Sequence, residues 1–187
     1  MSLRPEILVL GLGNVVMSDD GVGVHAVRRL RERTAPADGV ELIEGGTAGL
    51  LLLPHLADAE QAIIIDAIDT GAPAGTLVRL DGDSWPAAFA AHVTVHDVGV
   101  RDLLGAAQLT GALPRQLVLH GVQPATTSIG TELSAPVARA LDQLVSAVQA
   151  ELTAWEASWS QEMSSAQHAS SIARGQSAGD VEAPACA

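Results

Sequence analysis

The sequence predicts an α/β domain built around a mainly parallel sheet. Three observations predict it. Short apolar runs punctuated by glycine recur along the chain, helical patterns lie between them, and 187 residues suit a single domain of ordinary size. Runs this short, rich in Val and Ile and bounded by turn residues, read as strands, the most apolar as fully buried ones.

The elements follow in order. The run "ILVLGLG" (7–13) predicts a first strand ending in a glycine turn. Residues 22–33 predict a helix with Val24, Val27 and Leu30 on one face and Arg28, Arg29, Arg31, Glu32 and Arg33 mostly on the other. "VELIEGG" (40–46), "AIIIDAI" (62–68), "TLVRLDG" (76–82) and "QLVLHGV" (116–122) predict the remaining strands. Weaker helical patterns cover 47–56 and 96–109, the second carrying Val100, Leu103, Leu104 and Ala107. The clearest helix is 134–152, with Ser134 as its candidate N-cap and a stripe of Val137, Leu141, Leu144, Val145, Val148 and Leu152. Residues 153–187 turn to Ser, Ala, Gln and Gly around Trp155, Trp159 and Met163. The domain is therefore expected over 1–152, and 153–187 as a helix extension passing into a disordered tail beyond about Ser164.

Composition narrows the chemistry. The formal net charge is −12, and all ten basic residues are Arg. That balance argues against nucleic acid and anionic membrane surfaces as partners. The opening apolar run is too short and too soon broken by glycine for a signal peptide or a membrane span, so a cytoplasmic location is expected. The lone cysteine, Cys186, excludes an intrachain disulfide and a Cys-rich metal site. Without lysine there is no Schiff base and no P-loop lysine, and no "GxSxG" elbow or tyrosine is present. Asp, Glu, His and bound metal remain as reactive equipment.

In an open α/β sheet, sites form beyond the carboxyl ends of the strands. Asp19 and Asp20 follow the first strand and open the first helix. Either could simply cap that helix, and Asp20 could equally ligate a metal. Asp66 directly follows three isoleucines and must pair, bind metal or emerge into solvent at the strand end. His96, in "VTVHDVG", opens a later helix. Together, two carboxylates and an imidazole from three loops make a divalent-metal site with open coordination positions. A helix N-terminus beneath Asp20 would favour its ionised, metal-binding form. Of the other histidines, His25, His55, His92 and His168 read as solvated, whereas His120 nears the end of the last strand and is a candidate to support the site. The first loop departs from "GxGxxG" at Val16 and then places two acids where a pyrophosphate would sit, so cation binding fits it better than anion binding.

The motifs "GLGNVVMSDDGVG", "IEGGTAG", "IIIDAID", "HDVGVRDLL" and "LHGVQP", in this order and spacing, resemble the nickel-iron hydrogenase maturation endopeptidases over roughly residues 6–152. The resemblance implies a five-stranded twisted sheet between helices, and a monomer that acts on one protein substrate. It implies cleavage of a C-terminal extension from the hydrogenase large-subunit precursor once nickel has been inserted. Matched motif to motif, it implies that Asp20, Asp66 and His96 bind the metal, with nickel presented by the substrate. Asp19 could orient the loop, assist proton transfer or cap. Asn14 and the loop Gly45–Thr47, preceded by Glu44, are candidates for contacts to the peptide. Three rivals stand beside this reading: a nickel-binding accessory protein that cuts nothing, an aspartic protease suggested by "DTGA" (69–72), where Asp69 also suits an ordinary turn, and a nucleotide-dependent enzyme, which the departure from "GxGxxG" disfavours.

Overall fold

The structure, a computed structural model, describes residues 7–33, 35–82 and 97–176. Strands β1 (Ile7–Leu12), β2 (Val40–Gly46), β3 (Gln61–Ala67), β4 (Leu77–Asp81) and β5 (Gln116–Val122) form one sheet in the order β2-β1-β3-β5-β4. All neighbours are parallel except β4, which runs antiparallel to β5. The expected α/β architecture with a five-stranded, mainly parallel sheet is therefore what the chain adopts. The helices are α1 (Val22–Arg33), α2 (Leu53–Asp58), α3 (Asp97–Thr110) and α4 (Ala135–Gln176).

The pleat sorts side chains into two layers. Leu8, Leu10 and Leu12 of β1, Ala62 and Ile64 of β3, and Leu117 and Leu119 of β5 share one core with Leu52, Leu56, Val100, Leu103 and Leu104. Helix α3 packs there, against α2 and the turn before it. Helix α1 packs against β1, β2 and β3 through buried Val24, Val27 and Leu30. Its closeness to the sheet depends on two glycines: a Cβ on Gly11 would run into the Gly23 carbonyl, and one on Gly23 into the Ile65 carbonyl.

Two elements differ from the sequence expectation. The helix expected over 47–56 is a 3-10 turn, Gly49–Leu52, followed by the short α2 with Pro54 at its start. Proline is favoured in that first turn because its missing N–H has no helical partner there. Helix α4 continues to Gln176, past the expected end of order near Ser164. Its added stretch is rich in Ser, Ala and Gln and has no proline and no glycine before Gly175, so it contains no strong helix breaker ahead of its last turn. The chain separates into two compact units at Gln149/Ala150. Residues 177–187 lie outside the described residues.

Candidate active site

The strand order reverses between β1 and β3: the chain passes from β1 outward to β2, then returns to the other side of β1. At such a point the loops leaving the two central strands diverge and open a crevice. A cavity of ≈ 230 Å³ lies there, lined among others by Leu12 and Gly13 after β1, Gly46 and Thr47 after β2, and Val100 and Leu103 of α3. Asp20 and Asp66 both line it.

Asp66 arrives through strand parity. It follows Ala62 and Ile64 on the face carrying α2 and α3, one step beyond the hydrophobic stretch, and is half-buried. Its Oδ1 accepts the Ala67 N–H at 2.8 Å. Asp20 arrives through the first loop, a 3-10 turn over Ser18–Gly21 that leads into α1. It is 2 % exposed, and its Oδ2 accepts the Asn14 N–H at 2.7 Å. Gly13 makes this fold-back possible: its φ is +107°, and a Cβ there would collide with the Asp20 carbonyl.

Asp19 points elsewhere. It is fully buried and accepts hydrogen bonds from the backbone of Ala125, Thr126 and Ser134 and from the Ser134 hydroxyl, at 2.8, 3.1, 2.6 and 2.7 Å. Ser134 thus stands at the start of α4, its carbonyl accepting the Ala138 N–H at 2.8 Å, while its hydroxyl serves Asp19.

His96 lies outside the described residues, as does His92. Helix α3 begins at the next residue, Asp97, and its Gly99, Val100 and Leu103 reach the cavity. Among the described residues no group of three His, Cys, Asp or Glu side chains could hold a metal ion; the cavity brings together two carboxylates. Those two are hard oxygen donors with no thiolate, a set that fits a divalent cation whose remaining ligands come from elsewhere.

Other candidates are placed away from the cavity. His120 pairs with Ile65 across β3 and β5, so the pleat turns it to the layer opposite Asp66, where it is buried. It does not support Asp66 directly. Glu44 accepts the Arg28 Nε–H at 2.9 Å and also pairs with Arg31, and the Arg28 hydrogen bond chiefly holds its carboxyl below the usual range. It braces β2 against α1. Asn14 shapes the loop, its Oδ1 accepting the Val16 N–H at 3.1 Å. Asp69 is a turn residue: its Oδ1 accepts the Gly71 N–H at 3.0 Å and the Gln123 side-chain amide at 2.9 Å. His25 is not simply solvated. It is half-buried, its Nε2 is buried with no hydrogen-bond partner among the described residues, and burial lowers its pKa.

Large apolar side chains are exposed in the same loops. Val16 lies on the Asp20 loop, and Ile129, 90 % exposed, lies beside it, since the Gly130 N–H bonds the Val16 carbonyl at 3.1 Å. Leu50 and Leu51, the latter 80 % exposed, occupy the turn whose Gly49 and Leu52 line the cavity.

The hydrogenase maturation protease family matches residues 24–151. The hydrogenase expression/formation protein HupD of Rhodobacter capsulatus is 41% identical over 157 residues, covering 82% of this chain and 75% of that protein. The hydrogenase 2 maturation protease of Escherichia coli (strain K12) is 37% identical over 150 residues, covering 77% of this chain and 91% of that protein. The solved hydrogenase maturating endopeptidase HybD from E. coli superposes with a TM-score of 0.73 at 36% identity, covering 79% of this chain and 91% of that one. With the family matched across most of the chain and the fold shared, this chain belongs to the hydrogenase maturation proteases and is a peptidase.

Proposed function

We propose that the chain removes the C-terminal extension of a nickel-iron hydrogenase large-subunit precursor after nickel insertion, with Asp20, Asp66 and His96 as the metal-binding and catalytic groups. The supporting observation is the convergence of Asp20 and Asp66 on one cavity at the sheet's switch point. Nickel enters as cargo of the substrate, and when held among these groups it supplies Lewis acidity at the scissile carbonyl. The residues of the chain do the rest. Asp20 and Asp66 present carboxylate oxygens whose directions are fixed by the Asn14 and Ala67 amides. Gly46 and Thr47 line the cavity wall along which an extended peptide could lie. Val16, Leu50, Leu51 and Ile129 give the surrounding surface an apolar character suited to a polypeptide rather than a small polar substrate. The acting form is a cytoplasmic monomer, with neither nucleic acid nor membrane as partner.

The test is turnover. Nickel-loaded precursor incubated with wild type should shorten to a single product mass, and Asp20→Ala, Asp66→Ala and His96→Ala should each leave it uncut while keeping their circular dichroism. Full processing by any variant removes that residue from the site. Precursor that is bound yet never shortened by wild type would favour a nickel-binding accessory role.

A further inference from the structure

Asp19 is a fully buried acid to which the proposed chemistry gives no task. Every hydrogen bond described to its carboxylate comes from a donor on one distant segment: Ala125, Thr126 and Ser134. The bonds around it join the same two stretches. The Ser18 N–H donates to the Gly130 carbonyl at 2.8 Å, the Ser18 hydroxyl to the Ser128 carbonyl at 3.0 Å, and the Asp19 N–H to the Thr126 carbonyl at 3.3 Å. Between these bonds sits Ser18, whose φ of +51° is the one positive value at a non-glycine among the described residues. A side-chain-bearing residue adopts that conformation at a cost of order 1 kcal/mol and keeps it only when its surroundings hold it there.

We propose that Asp19 is a positioning residue for Asp20. Its carboxylate clamps the 125–134 loop, the clamp holds Ser18 in its left-handed turn, and that turn aims Asp20 into the cavity within reach of the Asn14 amide. It rests on the active-site role proposed above for Asp20. Without the clamp Ser18 relaxes toward the right-handed region, and the carboxylate two residues on leaves its place. The fold itself depends on the separate packing of β1, β3 and α1, so the loss is local.

Asp19→Asn tests this, because whichever way the amide turns, its NH2 meets a backbone N–H that had an acceptor. The Asn14 amide resonance, which reports directly on the Asp20 carboxylate, should move and exchange faster. Turnover of nickel-loaded precursor should fall about tenfold or more in kcat with KM within about twofold. Amides of β1 and β3 should stay protected. Ser134→Ala, which removes the hydroxyl and keeps the Ser134 N–H, should shift the Asn14 resonance in the same direction and lower kcat by about threefold. It decides the matter if Asp19→Asn fails to fold. A lowered melting temperature with the Asn14 resonance and kcat at wild-type values would make Asp19 purely structural and overturn the proposal. Should Asp20→Ala process precursor normally, the role of Asp20 falls, while the Asn14 resonance still reports whether Asp19 positions it.

Discussion

Gly23 sits where α1 meets the sheet, and a Cβ there would press on backbone atoms of Ile65 and Leu12 that cannot rotate away. Gly23→Ala should therefore cost about 2–3 kcal/mol in urea denaturation, the range of an overpacked core; an unchanged midpoint would mean that α1 shifts without penalty. His25 makes a different kind of prediction. Burial and the neighbouring Arg28 lower its pKa while Glu132 raises it, and Arg29, Glu32 and Asp142 lie in the same groove. Its folded pKa lies below the ordinary imidazole value of about 6.5, so the unfolded chain takes up the proton first as pH falls. The stability from neutral His25 is complete above that value and is lost as pH drops through the folded pKa. His25→Gln should flatten the fall in melting temperature between about pH 7 and pH 5 relative to wild type; parallel curves would refute it. Asp66 was legible from the sequence because an acid ending an apolar strand has few explanations. The work of Asp19 was not, since its partners lie more than 100 residues away and leave no periodic trace.

The strands were legible as elements because glycine and turn residues bound each apolar run, and the structure moves their limits by a residue or so. The 3-10 turn at Gly49–Leu52 was hidden in "GLLLLPH", where four leucines mimic a continuous helix, although Pro54 marked the true start of α2. That turn also sends Leu51 outward to solvent. A side chain so exposed contributes little to the fold, so Leu51→Ser should shift stability by no more than about 0.5 kcal/mol. If the turn contacts the precursor, the same substitution should raise KM several-fold with kcat unchanged, as loss of uniform binding does. Wild-type KM would detach this turn from substrate binding.

Across the molecule, the reversal of strand order between β1 and β3 turns two acids 46 residues apart in sequence into neighbours on one cavity wall. Alternating strands and helices made a parallel sheet legible, but nothing in "TLVRLDG" distinguished the antiparallel β4 from its parallel companions. The cavity has a consequence for when cleavage occurs. If His96 joins Asp20 and Asp66 as proposed, two carboxylates with an imidazole leave coordination positions open and lack the thiolates that hold nickel or zinc tightly, so the free enzyme should bind nickel weakly. A nickel ion already held by the precursor's cysteines could be completed by these groups, joining recognition of the substrate to proof that the metal has been inserted. Cleavage should then depend on nickel in the precursor and not on nickel added to the enzyme. In the presence of chelator, nickel-loaded precursor should be processed while nickel-free precursor stays uncut, read as product mass over time. Equal rates for the two forms would remove the metal from the step and reassign Asp20 and Asp66 to plain acid and base roles, one carboxylate withdrawing a proton from the attacking water and the other carboxyl donating one to the leaving amine.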